Sequence, residues 1–562
     1  MAAEVTVTFL GGLGDIGRNC AALEADDQIV LLDCGQLFPD DSMPGADSVL
    51  PDFSYLDTRA DRIVGCIATH GHEDHVGALG YALERYSFPI YGSPFTIGMA
   101  RHRVEEHGVL DRTELIPVAD GERRRVGPFD CEFLPVTHSV PRGLITSIGT
   151  PQGVILHSSD FKLDLTPVDG RRTDLARIGA IATDPGVRLF LCDSTNADTP
   201  GRTSSETELA PVLLRIFQAN AGRRVITACF SSHLHRVQQI IDAALATGRR
   251  ITTLGLSMGR NLRLAKELGV VRYPDAAWVG IEDIDDLDPG SVCVISTGSQ
   301  AEPRSALYLA AHGDSRWIDV GDQDTVVLSS HPIPGNEAGV ARMIDLLVRR
   351  GAEVLHTGQM DLHTSGHGKQ DELRVLHSVA RPEWFVPVHG EYRHLVAHGR
   401  LAATLGLAED RVLIATDGDQ VVLADDGLAV RRQVTSGQYL WVHGDVTEAD
   451  HDVFRERSIL GDEGVVVATV VVDQARRELV AAPTIEARGW LGDDALDTLM
   501  PDAVEEVAKG TRLALDELGI DDVVDAEQLR RRVRRSVGAF VSERTGRRPM
   551  IVPVVIVLAP PR

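Results

Sequence analysis

The sequence predicts an α/β protein of several domains, with an α/β or layered αββα architecture in its first part. Three observations carry this. The chain has 562 residues, more than one hydrophobic core ordinarily spans, so two to four domains are expected. Up to about residue 430, short β-rich runs alternate with helical patterns, as in folds that layer strands with helices. Nearly every β-rich run ends in a polar cluster, and sites in such folds gather at strand ends, where loops converge.

In chain order, QIVLLDCG and RIVGCIATH read as strands, and HVGALGYALERY after them has helical spacing. GVILHSSD and LFLCDST are the next strands. RVITACFSS, SVCVISTGS, TVVLSSHP and AEVLHTG follow, with LHRVQQIIDAALATG and VARMIDLLVRRG as helices among them, and WFVPVHG adds another strand. From Leu423 to about Asp452 the pattern is less regular. Beyond it, EGVVVATVVVD, the helical patterns TLMPDAVEEVAKGTRLALDEL and AEQLRRRVRRSVGAFVSE, and MIVPVVIVLAP suggest a small C-terminal α/β domain. Its second helix carries Arg530, Arg531, Arg532, Arg534 and Arg535. They read as a solvated face or subunit contact ahead of an RNA-touching surface.

Composition narrows the class. Hydrophobic residues at 43% and charged residues at 25% are ordinary for a globular protein. No apolar run reaches the roughly 18 residues of a membrane span, and MAAEVTVTFLGG lacks the pattern of a secretory signal. Cys20, Cys34, Cys66, Cys131, Cys192, Cys229 and Cys293 stand singly, which argues against a disulfide framework or cysteine zinc knuckle and for the cytoplasm. The formal charge of −26 argues against nucleic acid at long range, unless a local site or bound cations reverse the sign.

The densest chemistry lies in THGHEDHVGAL, where His70, His72, Glu73, Asp74 and His75 follow the apolar run RIVGCIA. Gly71 eases a tight turn, and such a turn can aim His70 and His72 at one point and Asp74 and His75 at a neighbouring one. Imidazole and carboxylate suit zinc or manganese. Four ligands cannot close two sites. His138 at the end of FLPVTHS, Asp160 at the end of VILHSSD and His389 in WFVPVHG occupy the same kind of strand-end position. Asp160 has two oxygens with which to bridge two cations, and Asp33 in LLDCG is expected behind the ligands, hydrogen-bonding one of them.

The series HxHxDH, lone His, lone Asp, distant His resembles the metallo-β-lactamase superfamily. DSTNADTPGRTSSE, CFSSHLHRVQQ, STGSQAEPRSAL, SSHPIPGNE, HTSGHGKQDEL and PVHGEYRHL resemble its β-CASP branch and, within that, the bacterial ribonuclease J family, whose start FLGGLGDIGRN resembles. The resemblance implies a metallo-β-lactamase αββα sandwich in two parts (1–205 and 366–430), an inserted β-CASP α/β domain (206–365), a linker (431–452) and a C-terminal α/β domain (453–562). It implies two zinc ions per chain, with manganese as the alternative: His70, His72 and His138 on one, Asp74, His75 and His389 on the other, Asp160 between. Asp193 and His367 fall at the first and second β-CASP motifs. His363, Thr364, Ser365, Gly366 and His367 fall where the family grips RNA phosphates, and Ser231, Ser232 and His233 at a second substrate loop. The chain departs from the pattern at Ser159, where glycine is usual, at Leu256, where arginine is expected, and in SVPRG after His138, where an acidic residue is more usual after the proline.

The resemblance further implies a ribonuclease acting 5′-to-3′ and internally on single-stranded RNA, with preference for a 5′-monophosphate, in RNA maturation and decay. Paired cations activate water and offset phosphoryl charge. Asp74 counts with the catalytic residues, and His367, oriented by Asp193, is the candidate acid for the leaving 3′-oxygen. A homodimer or homotetramer, and membership of an RNA-degradation complex, are the implied partners. Against this stand a metallo-β-lactamase-fold hydrolase of a small ester, thioester or lactam, which would not need the long stretch between Asp193 and His363, and a non-catalytic scaffold, which would lose ligands that this chain keeps.

Overall fold

The computed structural model describes residues 3–40, 42–333, 335–444, 446–448, 451–517 and 524–558. The chain divides into two compact units, Met1–Phe38 with Asp47–Thr447, and Pro39–Ala46 with Glu448–Arg562.

In the first unit, eight strands form one sheet in the order Gly427–Arg431, Gln420–Ala424, Val5–Gly11, Cys20–Ala25, Gln28–Leu32, Ile63–Ile67, Ile90–Gly92, Leu115–Pro117. Six form another: Trp384–Val388, Val187–Asp193, Gly153–His157, Leu144–Thr150, Phe129–Pro135, Arg123–Val126. Successive side chains on a strand point to opposite faces. Val30 and Leu32 therefore join Phe129, Phe133, Leu144 and Leu189 between the sheets, while Ile29 and Leu31 join Leu79, Leu83 and Val104 of outer helices. Phe190 and Leu156 likewise meet Ile178, Leu373 and Leu401 on the other outer side. Helix, sheet, sheet, helix is the expected layering, and strands covered on both faces read as unbroken apolar runs.

One pairing sets up the site. Trp384–Val388 runs parallel to Val187–Asp193, with Asp193 opposite Val388. The chain leaves the sandwich after Asp193 and returns beside it at His389. Between these points lies a separate sheet of parallel strands, ordered Arg250–Leu254, Val292–Ser296, Arg224–Ala228, Asp324–Leu328, Glu353–Leu355, with residues 229–233, 255, 297–300 and 329–331 in loops at their carboxyl ends.

Two local readings change. The helix expected from His75 starts at Glu73, runs to Val76, and resumes as Leu79–Arg85; the break comes where Ala78 N–H donates to Cys34 O. Residues 431–452, read as a linker, hold the strand Tyr439–His443, antiparallel to Ser48–Pro51, with Trp441 buried. Its partner is about 390 residues away in sequence (441 against 49), so local pattern does not announce it.

In the second unit, Val465–Asp473 pairs in parallel with Met550–Leu558 and antiparallel with Thr484–Arg488 and Glu478–Leu479. Val466, Val470 and Val472 pack under the helices Asp493–Asp516 and Ala526–Thr545 through Val507, Leu529, Val533 and Val537. The end of the first helical pattern, Leu518, lies outside the described residues. All seven cysteines are buried free thiols. Among the described residues no helix is long and apolar enough to cross a membrane.

Candidate active site

Strand Ile63–Ile67 delivers the HxHxDH turn, and its backbone is fixed from the neighbouring strand connection. Asn19 N–H donates to Asp74 O (2.9 Å), Cys34 N–H to His75 O (2.8 Å) and Gln36 N–H to Glu73 O (3.0 Å). Gly71 is required because a Cβ there would lie 2.9 Å from Met99 Cγ.

The turn and three distant strand ends bring seven side chains together in two overlapping sets, His70, His72, His138, Asp160 and Asp74, His75, Asp160, His389; within each, one donor atom per residue lies within 4.8 Å of the others. In the first set His72 Nδ1 is 3.1 Å from His70 Nε2 and 3.2 Å from His138 Nε2, and Asp160 Oδ2 is 3.5 Å from His70 Nε2. In the second, Asp74 Oδ2 is 3.2 Å from His389 Nε2, and Asp160 Oδ2 is 3.2 Å from His75 Nε2. Asp160 Oδ1 faces His389 Nε2 at 3.7 Å and is buried without a hydrogen-bond donor. A tetrahedral zinc site has ligand–ligand edges of about 3.3–3.4 Å. The donor set therefore fits divalent cations in chemistry and spacing, with Asp160 shared.

Partners behind the ligands set which nitrogen is free. His138 Nδ1–H donates to Gly366 O (2.7 Å) and His75 Nδ1–H to Asp33 Oδ2 (2.8 Å), leaving each Nε2 for the site. Asp33 also accepts from Thr69 N–H and Oγ1–H (2.7 and 2.9 Å), the place expected for it. His389 Nδ1 meets Thr195 Oγ1 at 2.7 Å. His70 Nδ1 lies 3.1 Å from Thr69 Oγ1 and 3.3 Å from Ser159 Oγ. Ser159 has φ of +56°, the left-handed region that favours the glycine of the resembled family; here its hydroxyl gains a contact to His70. His389 (φ +52°) and Asp33 (φ +59°) are held in the same region, the kind of backbone strain that clusters at functional sites.

Burial pushes His72 down to about 4 and His70 and His138 well below the usual imidazole value, so their lone pairs are available. Burial opposes protonation of His75 and His389 too, but Asp160, with Asp74 and Asp33 beside the first and Asp193 and Asp74 beside the second, outweighs it; His389 is held up to about 10. The carboxylates there call for positive charge, which a cation supplies in exchange for protons.

Beside these sets, His367 Nδ1–H donates to Asp193 Oδ2 at 2.8 Å, and its Nε2 is 3.9 Å from Asp160 Oδ2. Asp193 is fixed by Thr195 N–H and Oγ1–H (2.9 and 2.7 Å). Burial disfavours the His367 imidazolium, but Asp193 prevails and raises its pKa.

The phosphate-contacting candidates divide. Ser231, Ser232, His363 and Ser365 are half-buried. His233 is not available: it is 1% exposed, its Nε2 meets Glu206 Oε1 at 3.0 Å, and its Nδ1 accepts from Arg236 N–H. Thr364 is also buried, donating to Ser204 O at 2.9 Å. Gly366 lies against the first donor set, where a Cβ would come 2.7 Å from His138 Cε1. Leu256, where an arginine was expected, is 96% exposed. Sequence reasoning missed three residues. Asn19 Nδ2–H donates to Asp74 O (3.0 Å) and lies 3.1 Å from His75 Nε2. Thr195 orients His389 and Asp193. Asn196 Nδ2–H donates to Ser365 Oγ and His367 O (2.9 and 3.0 Å). The polar run STN after Asp193 was the available signal for the last two.

Two packed sheets with a histidine–aspartate cluster at their strand ends, interrupted by a parallel α/β domain, define a metallo-hydrolase of the metallo-β-lactamase class. Family models agree: the metallo-β-lactamase superfamily matches residues 13–193, the ribonuclease J β-CASP domain 222–347, the Zn-dependent metallo-hydrolase RNA specificity domain 359–414 and the ribonuclease J C-terminal domain 452–558. The chain is 40% identical to ribonuclease J of Mycolicibacterium smegmatis over 98% of its own length and 97% of that protein's. It is 34% identical to ribonuclease J 1 of Streptococcus pyogenes, over 98% of each. A crystal structure of an Enterococcus faecalis protein of unknown function shares the fold, at 17% identity and a TM-score of 0.52, over 75% of this chain and 100% of that one. The chain belongs to the ribonuclease J family.

Proposed function

We propose that the protein hydrolyses phosphodiester bonds of single-stranded RNA, 5′-to-3′ from a 5′-monophosphate end and also internally, with two zinc ions per chain. The observation that supports this most is the His367–Asp193 pair set directly against two cation-sized donor sets that share Asp160. His70, His72, His138 and Asp160 would hold one ion, and Asp74, His75, His389 and Asp160 the other, with manganese as the alternative metal. Such ions lower the pKa of water and offset charge building on phosphoryl oxygens.

The chain's own groups do the rest. His367 presents Nε2 towards the site while Asp193 holds Nδ1, so the imidazole is placed to give a proton to the leaving 3′-oxygen. Ser365, His363, Ser231 and Ser232 offer donors to phosphates. The acidic total of the chain matters little to a strand held in a narrow, locally donor-rich channel. We assign the protein to the cytoplasm, as a homodimer or homotetramer joined through its C-terminal unit and able to enter an RNA-degradation complex. The test is incubation of the zinc-loaded protein with single-stranded RNA and, separately, with thioester and lactam substrates. RNA cleavage that chelation abolishes supports the reading; turnover of the small substrates alone overturns it.

A further inference from the structure

Glu73 stands beside Asp74 in the metal-binding turn but points away from the donor sets. It ion-pairs with Arg103 and accepts from Gln36 Nε2–H at 3.2 Å. Arg103 lies on the helix Pro94–Glu106 and also reaches Glu106 Oε2 at 2.6 Å. The other oxygen of Glu106 takes Arg260 Nη1 at 2.6 Å. Arg260 is on Leu256–Glu267, the helix that follows strand Arg250–Leu254 of the inserted domain. Four alternating charges thus run from the turn that carries Asp74 and His75, across the seam between the two domains, to the helix that starts at Leu256.

The seam is close-packed: a Cβ on Gly98 would lie 2.6 Å from Leu264 Cδ1. Burial alone would raise the Glu106 carboxyl, but Arg260 and Arg103 on its two sides hold it below its usual value. The side chains are partly exposed, Arg103 at 25% and Arg260 at 34%. An isolated pair of that kind contributes little, whereas a connected chain of pairs constrains the elements it joins. The turn's carbonyls are held by Asn19, Cys34 and Gln36 of its own domain, so the Glu73 side chain is a polar link from the turn towards the inserted domain, beside the apolar contact that Met99 makes with Gly71.

We propose that Glu73, Arg103, Glu106 and Arg260 form an ion relay that positions the metal-binding turn from the inserted domain, making Arg103 and Arg260 positioning residues for the second donor set. The zinc arm of the test rests on the metal assignment proposed above; the exchange arm does not. Arg260→Gln, with Arg260→Lys as the charge-keeping control, would be measured in the full-length protein. The readouts are zinc release to a chromophoric chelator and amide hydrogen exchange over residues 72–77. Loss of a residue that supports a metal ligand weakens binding about 10-fold or more, so Arg260→Gln is expected to release one zinc equivalent several-fold faster and to speed exchange in the turn. Arg260→Lys should match the parent. Exchange and zinc release in Arg260→Gln equal to the parent's would overturn the relay. A parent protein that holds no zinc would overturn the metal assignment instead and leave the exchange result to decide the relay.

Discussion

At Gly366 one backbone carbonyl and one missing Cβ connect the loop 363–367 to the metal donors. Its oxygen fixes the tautomer of His138, and a methyl group there would intrude to 2.7 Å from the ring. Gly366→Ala is therefore expected to displace His138 and cut the rate of RNA hydrolysis by about 100-fold, the cost of a displacement near 1 Å at a reacting centre; the single-turnover rate checks this. His367→Ala should lower kcat by about 10²–10⁴, as for loss of a general acid, while metal analysis of the variant still finds the parent's content. Unchanged kcat would remove His367 from the proton-transfer role. The histidine–aspartate cluster was legible because four of its residues sit in one six-residue pattern. His233 was misread because its burial against Glu206 depends on a contact 27 residues away, and nothing in CFSSH signals it. Asn19 is a single polar residue with no spacing of its own, and its value comes from what the fold places opposite it.

At the scale of elements, the helices Gln370–Ala380 and Tyr392–Thr404 meet behind the site through His377 Nε2 and His398 Nε2, 3.0 Å apart, and His398 Nδ1 continues to Ser194 Oγ at 3.0 Å. Burial pushes His377 down to about 4 and His398 well below its usual value. An unfolded histidine takes its proton near pH 6.5. The neutral His377 therefore contributes stability that is fully present above about pH 6.5 and is lost as pH falls through about 4, in total about 3 kcal/mol. Urea midpoints between pH 7 and 5 should fall more steeply for the parent than for His377→Gln; parallel slopes would contradict this. Strand and helix order up to about residue 430 could be read because each element carries its own period. Tyr439–His443 could not, since its pairing with Ser48–Pro51 is a long-range event.

At the scale of the molecule, every proposed donor lies before the break between the two compact units at Thr447. A chain ended there should keep its fold and its metal but sediment as a smaller species than the full-length oligomer; identical sedimentation would refute a joining role for the C-terminal unit. The net charge of −26 pointed away from RNA when read alone, because composition averages over surfaces the substrate never meets. The motifs corrected it locally. The HxHxDH turn and its partners would hold the cations that activate water for RNA hydrolysis. That role is tested most directly by digesting 5′-labelled monophosphate RNA with the parent and with Asp74→Ala/His75→Ala, each loaded with zinc, and resolving products by length. Labelled mononucleotide and shortened fragments that keep the 5′ label are expected from the parent, and intact RNA from a folded variant that holds less metal. Comparable cleavage by both proteins would contradict that role.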